Sequence, residues 1–116
     1  MSDPILLETV IYARWELGED FFDEYLAYFT QTSALVSQEL WHAFEEQNWE
    51  QFMAKAHDLK GLCSNLGLAR FAKHLALMEN LAQTNEIPSL KIALARLNNL
   101  AEEAISALKD YKASQA

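Results

Sequence analysis

The sequence predicts an all-α protein, an antiparallel up-down four-helix bundle with a short N-terminal helix capping one end. Two observations carry this. Glycine and proline are scarce, three and two of 116 residues, while Ala, Leu, Glu, Lys and Gln dominate, a helix-forming composition with little of the turn chemistry that strands need. Apolar residues also recur three and four positions apart along nearly the whole chain, the spacing of one helix face.

Each element follows from that spacing. Ser2 or Asp3 caps a first helix over about 4–16, with Pro4 in its first turn and a stripe of Ile5, Leu6, Val10 and Ile11 that fades at Leu17 and Gly18. A long second helix, about 19–46, places Phe22, Tyr25, Leu26, Phe29, Val36, Leu40, Ala43 and Phe44 on one face, with Ser33 filling a step. Asn48 caps a third helix, about 49–66, whose inward set is Phe52, Ala56, Leu59, Cys63 and Leu66, and Gly67 offers a left-handed end. The fourth, about 68–83, carries Leu68, Phe71, Ala72, Leu75, Met78 and Ala82 and stops at the polar run before Pro88. The last, about 87–112, has the cleanest seam: Leu90, Leu94, Leu97, Ala101, Ala104, Leu108 and Tyr111. Residues 1–116 read as a single domain with no repeat or linker.

Composition bounds the function. Seventeen acidic against nine basic residues give a formal charge of −8, the wrong sign for holding nucleic acid or an anionic membrane. The start lacks a basic, apolar leader, no stretch is long and apolar enough for a membrane span, and Cys63 is the lone cysteine, so a soluble, cytoplasmic monomer is expected.

The chemistry concentrates around His57. On a helical wheel Lys60, Gly61, Ser64 and Met53 fall within about 60° of it, opposite the core set, so the imidazole faces solvent with a cation one turn away. A neutral exposed imidazole is a nucleophile, and phosphoryl transfer calls for positive charge near the phosphoryl oxygens. Gly61 leaves the neighbouring surface open to a large partner, which offsets the roughly 0.5–1 kcal/mol that glycine costs inside a helix. Glu79 falls in the apolar stripe of the fourth helix, and a carboxylate there needs a partner. His57 lies ten residues before Gly67 and Glu79 twelve after it, so an antiparallel helix pair sets them side by side. Accepting from Nδ1–H, Glu79 would fix the tautomer and turn the Nε2 lone pair outward.

The pattern His57, Lys60, Gly61, then Asn65 and Gly67, then Leu75, Met78 and Glu79, resembles the signature of histidine-containing phosphotransfer (HPt) domains of multistep two-component phosphorelays. The resemblance is close from Ala56 to Leu81 and implies phosphorylation of His57 on Nε2, assistance from Lys60, an approach cleared by Gly61, and Nδ1 held by Glu79. It further implies a phosphocarrier, not an enzyme, which takes a phosphoryl group from the receiver domain of a hybrid sensor kinase and passes it to a response-regulator aspartate. No cofactor is expected in the chain, Mg²⁺ coming from the receiver. Leu62 stands where the family usually has a small residue, which reads as tuning of the partner surface. That surface is expected over the third and fourth helices, with Gly61, Leu62, Ser64, Asn65, Leu66, Arg70 and Phe71 at or beneath it and Lys55, Lys60, Arg70 and Lys73 as a local basic patch.

Plainer readings compete. The chain could be a helical adaptor that binds a receiver or kinase without being phosphorylated. Glu39 and His42 have the spacing of a di-iron ligand pair, but no second copy exists, so a solvated acidic face is expected. His74 is expected in surface packing and Cys63 as a small buried hydrophobe.

Overall fold

The computed structural model describes residues 4–115 of the chain, so the expected cap at Ser2 or Asp3 lies outside the described residues. Six helical segments follow one another: α1 (Glu8–Trp15), α2 (Glu19–Glu45), α3 (Trp49–Asn65), α4 (Ala69–Gln83), α5 (Ile87–Ala95) and α6 (Leu97–Ser114). No strand occurs among the described residues. The 27 residues of α2 at about 1.5 Å each span roughly 40 Å, which accounts for the 45 Å long axis of the molecule. Helices α2, α3, α4 and the α5–α6 rod form the bundle, α1 packs on α2, and no helix among the described residues is long and apolar enough to cross a membrane.

The core stripes appear as spaced. Phe22, Phe29, Leu40, Phe52, Leu59, Leu75, Met78, Leu90, Leu94, Leu97 and Leu108 are all fully buried. Two polar residues share that interior and both are bonded: Ser33 Oγ donates to the Thr30 carbonyl and Ser37 Oγ to Asn98 Oδ1, joining α2 to α6.

Three of the helix ends close with one hydrogen-bond pattern. After α2, α3 and α4, a residue with positive φ (Gln47, Gly67, Asn85) is followed by an N–H that reaches back to the carbonyl five residues earlier, from Asn48 to Ala43, Leu68 to Cys63 and Glu86 to Leu81. Asn48 then serves the next helix too, its side chain accepting from the Gln51 N–H. Of these three joints only α3–α4 demands glycine. A Cβ on Gly67 would stand 2.8 Å from the Leu7 carbonyl oxygen and 3.0 Å from Val10 Cβ.

That crowding reflects a departure from expectation. The first helix starts at Glu8, not near Pro4, because the preceding residues run extended as a strap across the α3–α4 joint. Leu7 N–H donates to the Gly67 carbonyl at 2.7 Å, and Arg70 N–H, otherwise an unpaired donor in the first turn of α4, donates to the Pro4 carbonyl at 3.1 Å. Leu6 packs against the core. Tertiary hydrogen bonds thus outweigh local helix propensity. The second departure is a break at Arg96 in what the seam predicts as one helix: its N–H bonds the Ala93 carbonyl three residues back, a tighter turn, before Leu100 N–H resumes the α pattern. Nothing in the structure explains why the tightening falls there.

The two interior glycines therefore differ in kind. Gly67→Ala should lower stability by about 1–2 kcal/mol or more, from the left-handed backbone and the Leu7 contact. Gly61→Ala, whose Cβ meets nothing within 4 Å, should raise it by about 0.5–1 kcal/mol. Urea unfolding of the two variants checks both signs.

Candidate functional site

Helix α3 lies between α2 and α4, and its inward face (Phe52, Ala56, Leu59, Cys63) is sealed in the core. His57 sits on the opposite face with its side chain 68% exposed. Across the groove, Met78 and Ala82 bury one side of α4 and leave Glu79 at the rim of the stripe, its side chain 22% exposed. The helix pair turning at Gly67 brings the two together: His57 Nδ1 is 3.5 Å from Glu79 Oε2. The other carboxylate oxygen, Oε1, is 2.7 Å from Lys60 Nζ. Oε1 is shut off from solvent, and the Lys60 ammonium is the charge that meets it there. One carboxylate thus serves the inner ring nitrogen of the histidine and the lysine one turn along. Nε2 is left on the solvent side, and beside it the open position of Gly61 admits an approaching group.

The remaining candidates divide. Ser64 and Asn65 are exposed and Leu62 half-buried, the Asn65 carbonyl being taken by Arg14 Nε at 2.9 Å. Phe71 is corrected: at 2% exposure it is a core residue, packed edge-on against Phe29 and closed to a partner, whereas Leu66, at 1%, lies in the core as its place in the inward set predicts. Phe71 belongs to the apolar stripe of its helix, and that membership decides its fate. The basic patch is corrected too. Lys55 is paired with Glu39, Lys60 with Glu79 and Arg70 with Glu103, so little of that charge is offered outward. His74 bonds the Ala93 carbonyl through Nε2 at 2.7 Å and ties α4 to α5. Among the described residues no three His, Cys, Asp or Glu side chains gather where they could hold a metal ion, and exposed His42 stays a surface residue.

A feature that the core stripes passed over lies on the other flank of α3. Phe21 and Tyr28 of α2 are 55% and 59% exposed and, with Tyr25, Glu24 and Leu62, line a mostly apolar cleft of about 480 Å³. Leu35, 58% exposed, continues the row. The signal was present as a seven-residue spacing of Phe21, Tyr28 and Leu35, one step off the buried stripe.

The Hpt domain pattern matches residues 24–110, well over half of the chain and all of the histidine site. The chain belongs to the Hpt domain family. It is therefore a histidine phosphotransfer module of phosphorelays, a phosphocarrier outside the kinase families, and modules of this kind interact with receiver domains. No curated protein matches the sequence. Among solved structures, the crystal structure of histidine-containing phosphotransfer protein B (HptB) from Pseudomonas aeruginosa PAO1 is similar, with a TM-score of 0.86 over 97% of this chain and 98% of that one. At 21% identity the likeness is one of fold. This Hpt domain keeps its single thiol out of the chemistry, since burial pushes Cys63 up to about 12 and the thiolate is the reactive form. At pH 8 the folded protein should leave a thiol reagent such as Ellman's reagent unreacted, and denaturation should release one thiol per chain.

Proposed function

We propose that His57 is the phospho-acceptor of this Hpt domain, taking a phosphoryl group from the receiver-domain aspartate of a hybrid sensor kinase and passing it to a response-regulator aspartate. The observation that carries this is the histidine's division of labour: Nδ1 faces the Glu79 carboxylate while Nε2 and the Gly61 opening face solvent. In the accepting step the Nε2 lone pair attacks phosphorus, the N–P bond forms, and the P–O bond to the donor aspartate breaks with its electron pair leaving on the carboxylate. The imidazole, neutral before attack, keeps its proton on Nδ1 and becomes cationic, and Glu79 stands where that charge develops. In the donating step a receiver carboxylate oxygen attacks phosphorus and the N–P electrons return to Nε2. The receiver brings the Mg²⁺ for both.

The partner docks on the α2 side of His57, not over α4. Gly61 and Leu62 connect the histidine to the cleft of Phe21, Tyr25 and Tyr28, whereas Leu66 and Phe71 are buried and Arg70 is paired. An exposed apolar cleft flanking a reactive group is the combination expected of an interface, and aromatic residues are its usual anchors. Ser64 and Asn65 are exposed on the same face of α3 as His57 and form the polar rim.

Replacing His57 by Gln should abolish acid-labile labelling by a phosphorylated receiver. Retained labelling would assign the phosphate elsewhere, and an unlabelled parent that still binds receivers would make the chain an adaptor. Tyr28→Ala should weaken receiver binding about tenfold, as loss of an interface anchor does, while leaving the spontaneous hydrolysis of phospho-His57 unchanged. Titration calorimetry against a receiver and a hydrolysis time course separate the two effects.

A further inference from the structure

Lys60 stands one turn from His57 on the same side of α3, and its ammonium rests on the Glu79 carboxylate. We propose that Glu79 is a shared clamp that holds Lys60 in reserve, and that phosphorylation of His57 draws the lysine from the carboxylate to the phosphoryl oxygens. This rests on His57 being the phospho-acceptor.

Three observations carry it. One carboxylate oxygen, closed to solvent, holds the Lys60 ammonium at 2.7 Å, so the lysine's charge is already committed before any phosphoryl group arrives and a stronger anion has to compete for it. A bound phosphoryl group brings roughly two negative charges one helical turn away, and the Lys60 ammonium is carried on a flexible four-carbon stem with its side chain 29% exposed. Glu79 is not stranded by the departure. Nδ1 keeps its proton when Nε2 is bonded to phosphorus and the ring becomes cationic, so the carboxylate that faces it at 3.5 Å then meets a charged donor. The neighbouring cations do not substitute, since Lys55 is held by Glu39 and Arg70 by Glu103.

The carboxylate charge therefore competes with the phosphoryl group for one lysine, and Glu79 acts as a positioning residue for Lys60 as well as for the ring. Glu79→Gln keeps an oxygen for Nδ1–H but drops the charge that retains Lys60. In the full chain, phospho-His57 should persist about threefold longer in E79Q than in the parent, and the ratio should shrink toward one in the K60A background, a coupling typical of contacting groups. The Lys60 Nζ resonance, read through its Hε protons, should move on phosphorylation of the parent and should not move in H57Q treated alike. An equal E79Q effect with and without Lys60, or a Lys60 signal that stays put while His57 becomes phosphorylated, would overturn the shared clamp alone. Absence of any phosphohistidine in the parent would instead overturn the carrier reading on which it rests.

Discussion

The Glu79 carboxylate lies between Nδ1 of His57 and Nζ of Lys60, 3.5 and 2.7 Å away, and the orientation of the histidine depends on its being there. A carboxylate at the rim of an apolar stripe costs stability unless it meets positive charge or a donor. The two groups that repay that cost are those that phosphoryl chemistry needs. The electrostatic demand of the fold and the positional demand of the reaction are thus met by one contact. An exposed histidine without it would rotate between tautomers and orientations, with either nitrogen outward.

That contact depends on register. His57 and Glu79 sit on different helices, and what aligns them is the turn at Gly67, closed by the Leu68 to Cys63 hydrogen bond and clamped from outside by the strap before α1. The same kind of turn uses Gln47 and Asn85 at the ends of α2 and α4, where a side chain is tolerated. Stability of the joint and placement of the site are therefore linked through residues remote from the histidine, Leu7 and Val10 among them. Gly61 has the opposite logic: nothing in the fold needs it, and the space it leaves is available to a partner.

The buried stripes were legible because helix spacing alone decides which face is sealed, and so were the Asn48 cap and the side-by-side placement of His57 and Glu79. What escaped was tertiary. The extended run from Pro4 to Leu7 looks helical until the Gly67 carbonyl and Arg70 N–H offer it better bonds. Lys60 looks like an unengaged cation until Glu79 is in place, and Arg70 until Glu103 is. Phe71 adjoins the expected partner face, but its place in the apolar stripe of its helix is what buries it. The Phe21, Tyr28 and Leu35 row is masked in the sequence because a second apolar stripe beside the buried one reads as a wide core until burial separates them.

The most direct test of the central claim, that Glu79 at Nδ1 turns Nε2 outward as the phosphoryl acceptor, is the position of phosphorus on the ring. Long-range ¹H–¹⁵N and ¹⁵N–³¹P NMR of the chain labelled with ¹⁵N-histidine and phosphorylated by a receiver distinguishes the two nitrogens. The account predicts phosphorus coupled to Nε2 of His57, with the ring proton on Nδ1. Phosphorus on Nδ1, or on His42 or His74, would contradict it.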